Sequence, residues 1–295
     1  MTHTSMTPRI TPEILADLCT WEGRSESREE VLCSAPAGAL AATLDRPDLM
    51  EGQSSTLPPL WHWLYFLPQA PQSELGADGH PRTGGFLPPV PLPRRMWAGG
   101  RITWHAPIQL GERLRKTTTI VSVRHKSGRS GDLVFLVLRH VFTRAHGVSL
   151  ITEEQDLVYR APAQPGDPAP QPQAATADAM WSRTIVPDPV LLFRYSALTF
   201  NGHRIHYDRP YATDVEGYGG LVVHGPLIAT LLADLVSREL SGAQLRSFSF
   251  RAVRPLLDLN AFQLCGKLAR DGKQVELWSR DHEGWLTMQA QAALE

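Results

Sequence analysis

A short polar segment in the second half of the chain carries the side chains best suited to proton transfer. The segment Phe200–Asp208 reads FNGHRIHYD and contains Asn201, His203 and His206. An unperturbed histidine has a pKa of about 6.5, so it can take up and return a proton at neutral pH. This segment therefore predicts acid–base chemistry, with a histidine as the group that carries the proton.

A second stretch, Val223-His224-Gly225-Pro226, indicates the start of a helix. Proline fits the first helical position and glycine fits the cap before it. The first backbone N–H groups of a helix have no partner within it and favour negative charge. We therefore expect the Gly225 N–H to stabilise an oxyanion close to a proton-carrying imidazole.

The three histidines of these stretches could also be metal ligands. No cysteine or pair of carboxylates accompanies them in the sequence, and protein zinc sites usually combine such groups. We expect no metal.

The elements that position these residues follow from hydrophobic periodicity. From Leu227 to Val236 almost every residue is apolar, and only Thr230 and Asp234 are polar. A helix that is apolar on nearly all sides is buried. Such a helix needs a sheet curled around it, which is the geometry of the hotdog fold.

The chain divides into two halves that share an order of elements. Each half is predicted to contain a helix followed by strands, and the segment after Trp104 resembles the segment after Ala252, with Pro107 and Pro255 offset by 148 residues. A Pro/Ala/Gln-rich linker separates the halves. We predict an α+β double hotdog with a degenerate first half at 1–160, a long loop insertion at 69–100, a linker at 161–175, and a second half at 176–295 that carries the active site.

Composition excludes several classes of function. The net charge is −1 and 42% of residues are hydrophobic, so bulk charge gives no reason to expect nucleic-acid binding. No apolar run approaches the ~18 residues of a membrane span. The three cysteines show neither a metal nor a disulfide pattern, and a cytoplasmic protein is expected.

Four short motifs carry a resemblance to a known family. The loop Phe200–Asp208 resembles the Gly-Asp-x-Asn-Pro-Leu-His pattern of MaoC-like enoyl-CoA hydratases, and the stretch from Val222 to Leu227 resembles the start of their central helix. The segments Arg95–Arg101 and Lys126–Gly131 are similar to a narrower group, the fused double-hotdog hydroxyacyl-thioester dehydratases of type 2 and the mesaconyl- and itaconyl-CoA hydratases.

The resemblance implies reversible addition of water to an α,β-unsaturated acyl-CoA, with no cofactor. His206 would be the catalytic histidine, and the Gly225 N–H would bind the thioester oxygen. Asn201 replaces the family's aspartate and would hold the attacking water. The resemblance also suggests a homodimer. It further suggests substrate contacts by His203, Arg204, Tyr207 and His224 near the motif, and by Arg95, Trp97, Gly99 and Arg129 in the first half.

Alternative functions stay open at this point. A dehydratase of longer 3-hydroxyacyl thioesters differs only in pocket volume, and hotdog proteins also hydrolyse thioesters. A carboxamide at Asn201 cannot accept a proton, which favours a non-catalytic acyl-CoA binding protein. For a dicarboxylic substrate we expect one arginine to meet the second carboxylate, with Arg194 and Arg204 nearest to the motif.

Overall fold

A computed structural model describes residues 9–50, 55–128, 131–162 and 171–295. Within these ranges the helices are Pro12–Cys19 (α1), Ser34–Thr43 (α2), Pro47–Met50 (α3), Pro189–Leu198 (α4) and Gly225–Glu239 (α5). The strands are Ser25–Val31 (β1), Arg94–Trp104 (β2), Arg113–Gly128 (β3), Gly131–Arg144 (β4), Ser149–Arg160 (β5), Trp181–Ile185 (β6), Leu245–Ala252 (β7), Phe262–Leu268 (β8), Gln274–Arg280 (β9) and Leu286–Leu294 (β10).

The described strands form one antiparallel sheet whose order shows the repeat. The order is β1-β3-β4-β5-β2-β7-β10-β9-β8-β6, so each half contributes five strands in the same relative arrangement, and β2 meets β7 in the middle. Trp104 ends β2 and Ala252 ends β7, so the two similar segments occupy equivalent places. The structure therefore has the predicted α+β double-hotdog architecture.

Helix α5 is the centre of the second half. All ten residues from Leu227 to Val236 are buried, including Thr230 and Asp234, as the periodicity predicts. The helix packs against β7, β8, β9 and β10, while α2 of the first half packs against α4. None of the helices in the described ranges is both long and apolar enough to cross a bilayer.

Three parts of the sequence-based interpretation need correction. The predicted loop 69–100 ends earlier, because Arg94–Gly100 belongs to β2; a bulge between Trp97 and Gly99 breaks the alternation that would have shown a strand. Helix α4 and the strand β6 before it were not predicted. The strands β3 and β4 extend into Lys126–Gly131, a segment whose Ser and Gly residues favour a hairpin turn.

The linker between the halves is described only at its ends. Residues 163–170 lie outside the described ranges, so the boundary at 161–175 stays a prediction. Towards its end, Ala174 pairs with Trp285 and the Ala175 N–H donates to the Gly284 carbonyl at 3.0 Å. The chain is therefore already attached to the second half before residue 176.

Candidate active site

The polar loop is fixed by its own backbone. The Asn201 N–H donates to the Ser196 carbonyl at the end of α4, at 2.8 Å. The Asn201 side-chain oxygen accepts from the His203 N–H at 3.0 Å, and a 3₁₀ turn follows at Arg204–His206. This oxygen is therefore engaged within the loop, and the carboxamide NH₂, which has no partner among the described residues, is the part of Asn201 that can still donate to a ligand.

His206 is held as a neutral base. Its Nδ1 donates to the Val222 carbonyl at 2.7 Å. Because a carbonyl can only accept, the proton of the neutral ring is on Nδ1 and the lone pair is on Nε2. The side chain is buried, which lowers the pKa of His206 to about 4, so the imidazole is uncharged at neutral pH. In the described part of the chain, Nε2 has no hydrogen-bond partner and can accept a proton from a ligand.

The start of α5 lies directly beside this imidazole. The His206 ring stacks on the His224 ring, with 3.7 Å between centroids and 16° between planes. The Val222 N–H donates to the Ile205 carbonyl at 2.9 Å, which joins the two segments a second time. Helix α5 begins at Gly225, with His224 as the capping residue, one position earlier than predicted. The Gly225 N–H has no acceptor among the described residues.

His224 lies behind the imidazole of His206. It is fully buried, and its Nε2 is hydrogen-bonded to the Ser196 hydroxyl at 2.8 Å. It makes no side-chain capping bond to α5. His224 connects α4 to α5 and packs against the His206 ring.

Arg204 and Tyr207 stabilise the loop itself. Arg204 forms an ion pair with Asp208 at 2.7 Å and lies over the Tyr211 ring at 4.1 Å. The Tyr207 hydroxyl donates to the Gly202 carbonyl at 3.0 Å, and the side chain is half-exposed. Both predicted substrate contacts are thus already engaged in interactions within the loop.

A dyad from the first half completes the site, and sequence reasoning missed it. Asp78 accepts a hydrogen bond from His80 Nδ1 at 2.9 Å, and the His80 ring lies 4.1 Å from the His203 ring. His203 in turn meets the His206 ring edge to face at 5.5 Å. Asp78 lies more than a hundred residues before this loop in the sequence, so no local pattern could connect them.

Backbone contacts attach the missed segment to the polar loop. The Arg204 N–H donates to the Asp78 carbonyl at 2.9 Å. Gly79 approaches the Gly202 carbonyl so closely that an added Cβ would lie 1.9 Å from its oxygen. Only glycine fits at position 79.

Burial keeps the histidines of this cluster neutral. Burial is the main cause of the lowered pKa of His80. It is also the main cause of the lowered pKa of His203, which is about 2. Burial, the largest single cause, would raise the pKa of Asp78, but the hydrogen bonds and charge of His80 together with the charge of His203 lower it to about 2. One ligand atom each from Asp78, His80 and His203 lies within 4.8 Å of the others, a set that could hold a metal ion. Two of these three residues, Asp78 and His80, come from a part of the chain that the sequence-based argument about metal ligands did not consider.

The four substrate contacts that were predicted in the first half lie in different places. Arg95 lines a pocket together with His203 and Ile205. Trp97 packs against Trp63 at 5.0 Å between ring centroids. Gly99 lies where β2 meets β7, and an added Cβ would be 2.5 Å from the Phe250 carbonyl oxygen. Arg129 lies outside the described residues. Of these, only Arg95 is placed at the site.

Comparison with known proteins agrees with this architecture. A sequence model of the family described as hydroxyacyl-thioester dehydratase type 2 matches residues 60–258. A mesaconyl-C(4)-CoA hydratase of Chloroflexus aurantiacus is 50% identical over 95% of this chain and 98% of its own length. A mitochondrial hydroxyacyl-thioester dehydratase type 2 of Schizosaccharomyces pombe is 26% identical over 80% of this chain and 88% of its own.

Solved structures support the fold. A MaoC-like dehydratase from Phytophthora capsici superposes with a TM-score of 0.71 at 13% identity, covering 95% of this chain and 97% of that one. A Mycobacterium tuberculosis protein described as a double hotdog superposes with a TM-score of 0.57 at 15% identity, covering 95% of this chain and 98% of that one. The chain therefore belongs to the hydroxyacyl-thioester dehydratase type 2 family of hydro-lyases and has the double hotdog fold.

Proposed function

We propose that this protein catalyses the reversible hydration of a short α,β-unsaturated acyl-CoA, branched or dicarboxylic, of the mesaconyl- or itaconyl-CoA type. The observation that carries the proposal is the contact between the His206 ring and the start of α5. It brings a neutral base with a free Nε2 next to an unpaired backbone N–H.

In the proposed reaction, His206 Nε2 takes a proton from water while the water oxygen bonds to the β-carbon. The electron pair of the double bond moves towards the thioester carbonyl, whose oxygen becomes negative. The Gly225 N–H stabilises that oxygen, and one such donor typically contributes about 100- to 1000-fold in rate. The imidazolium then returns its proton to the α-carbon, so one nitrogen serves as base and as acid.

Asn201 has a positioning role in this scheme. Its side-chain oxygen is bonded to the His203 N–H, so its NH₂ group would donate to the oxygen of the attacking water. A donated hydrogen bond orients the water and leaves its proton directed to His206. This role needs no proton exchange, which accounts for an asparagine in place of an acid.

The 50% identical relative is a hydratase of mesaconyl-C(4)-CoA by its name, which favours a dicarboxylic substrate. The runner-up substrate is a longer 3-hydroxyacyl thioester, favoured by the family description and by the more distant fungal relatives. Thioester hydrolysis and acyl-CoA binding without turnover are competing activities that a substrate panel can distinguish. We include a cytoplasmic location and a homodimer in the proposal.

A substrate panel tests the proposal. Crotonyl-, mesaconyl-, itaconyl- and longer enoyl-CoA are followed by loss of enoyl absorbance, and a thiol reagent detects hydrolysis. We expect turnover of the short substrates without thiol release. Release of free CoA would establish a thioesterase, and tight binding without an absorbance change would establish a binding protein.

A variant at the proposed base gives the second test. His206→Ala should reduce turnover to background because the base is removed. The protein should stay folded, because the space left by the imidazole lies at the site and not in the hydrophobic core. His105→Ala is the matched control, since His105 is exposed and its Nε2 is bonded only to the Thr152 hydroxyl. Near-normal turnover of His206→Ala would reject the assignment.

A further inference from the structure

Arg95 lies on β2 beside the polar loop. It is directly opposite Tyr159 of β5 in the antiparallel register, so the two side chains share one face of the sheet. Arg95 lines the same pocket as His203 and Ile205, and its charge is one of the causes that lower the pKa of His203. The guanidinium is therefore placed next to the proposed catalytic histidines.

This cation has no counter-ion in the described residues. No carboxylate oxygen lies within 4.0 Å of the Arg95 guanidinium there. The neighbouring acids already have partners, since Glu216 pairs with Arg94 at 3.1 Å and Asp78 is bonded to His80. A half-buried guanidinium without a paired anion is suited to bind an anionic ligand.

Tyr159, the neighbour of Arg95 across the strands, also lacks a partner. Its side chain is 1% exposed, and its hydroxyl has no hydrogen-bond partner among the described residues. Burial raises the pKa of Tyr159, whereas the charge of Arg95 and the approach of its guanidinium to the hydroxyl lower that pKa. Tyr159 does not line the pocket itself, and its hydroxyl lies beside the Arg95 guanidinium and offers that cation no anionic partner.

The size and place of the pocket indicate which anionic group it takes. Its cavity volume is about 30 Å³, room for about two water molecules and therefore for one carboxylate. The pantetheine arm keeps the phosphates of CoA far from the thioester, whereas the second carboxylate of a mesaconyl or itaconyl group lies a few bonds from it. A cation beside the catalytic histidines is thus placed for the acyl end.

We propose that Arg95 binds the free carboxylate of a dicarboxylic acyl group in this pocket and so determines the preference for such substrates. This inference rests on the proposed hydratase function. It replaces the sequence-based expectation for Arg204, which is paired with Asp208, and for Arg194, which is exposed.

The test compares two substrates in one variant. Arg95→Gln should lower kcat/KM for mesaconyl-C4-CoA by roughly 30-fold or more, as expected for the loss of one partner of a buried charge pair, and should leave crotonyl-CoA within a few-fold of wild type. Arg95→Lys should restore part of the loss. Arg101→Gln is the control, because Arg101 lies on the same strand but in exposed ion pairs with Glu154 and Asp156. An equal loss for both substrates, or no loss, would overturn the proposal.

Two further measurements separate the possible sources of the effect. With mesaconyl-pantetheine, which lacks the CoA phosphates, the Arg95→Gln effect should persist; its disappearance would mean that Arg95 binds a phosphate. Binding of succinyl-CoA and butyryl-CoA by calorimetry needs no turnover, and Arg95→Gln should weaken only succinyl-CoA. If the wild-type protein binds succinyl-CoA more tightly than butyryl-CoA but hydrates no enoyl-CoA, the proposed function is wrong and the carboxylate site stands. If it binds succinyl-CoA and butyryl-CoA with equal affinity, the carboxylate site is wrong.

Discussion

A single hydrogen bond determines the chemical state of the proposed base. The Val222 carbonyl accepts from His206 Nδ1, which fixes the lone pair on Nε2, and burial lowers the pKa of the ring. The sequence motif identified His206, Asn201 and Gly225 as neighbours, and the fold brings them into one loop and one helix start. The motif could not show the tautomer or the stacked His224, because both depend on the tertiary position of the segment before α5.

The lowered pKa of His206 predicts an acid limb at unusually low pH. Only the neutral imidazole can take a proton from water, so kcat/KM should stay constant as pH falls below 6.5 and should decline only near pH 4. The measurement is kcat/KM for crotonyl-CoA between pH 4 and 8. Half-loss near pH 6.5 would show that the base is a solvated histidine.

Protein stability must be followed in the same experiment. His206 has a folded pKa below the unfolded value of 6.5, so below pH 6.5 the unfolded chain binds protons that the folded one does not, and the free energy of unfolding decreases. Circular dichroism at each pH separates loss of structure from protonation of the base.

At the scale of elements, the long segment before β2 is part of the site. Its Asp78 and His80 contact the polar loop through backbone and side chains, although its Pro- and Gly-rich sequence predicted only an ordered loop. Helix α5 was predictable because its positions from Leu227 to Val236 are apolar except for Thr230 and Asp234. Helix α4 was missed, yet Asp188 followed by Pro189 is a capping signal, and the Asp188 side chain accepts from the Val190 and Leu191 N–H groups.

Gly79 tests whether this segment supports catalysis. Gly79→Ala would place a Cβ against the Gly202 carbonyl, so we expect the segment to move away from the loop, with kcat reduced and unfolding free energy lower by about 1–3 kcal/mol. Gly84→Ala is the matched control: Gly84 also has a positive φ, but the nearest atom to its added Cβ is 3.8 Å away. Steady-state kinetics and denaturation are measured for both. Equal kcat in the two variants would show that the contact with Gly202 is not needed for activity.

At the scale of the whole molecule, one buried carboxylate connects the two halves. Asp234 of α5 is 2% exposed in its side chain and pairs with Arg46 of the first half and with Arg183 and Arg238 of the second. The sequence showed Asp234 only as a polar exception in an apolar helix. Arg238 follows Asp234 by one turn of the same helix, a spacing that the sequence shows, whereas Arg46 and Arg183 reach it only in the assembled fold.

Removal of this carboxylate should lower the free energy of unfolding of the whole chain. Asp234→Ala leaves three arginines without their shared partner, and we expect a loss of about 3–5 kcal/mol in unfolding free energy. Asp48→Ala is the control, because Asp48 pairs with the same Arg46 but its side chain is 57% exposed, and exposed pairs contribute about 0–1 kcal/mol. Urea denaturation gives both values, and equal losses would contradict the connecting role of Asp234.

The contact of β2 with β7 has a consequence for assays at low concentration. Residues Gly99–Thr103 pair with Ser247–Arg251. In a protein made of two separate hotdog subunits, this contact would be a subunit interface that dissociates on dilution. Here both strands belong to one chain, so the contact does not depend on protein concentration. Activity per chain should therefore be constant from micromolar to nanomolar dilution. A decline on dilution would mean that a second copy of the chain is required to complete the catalytic unit.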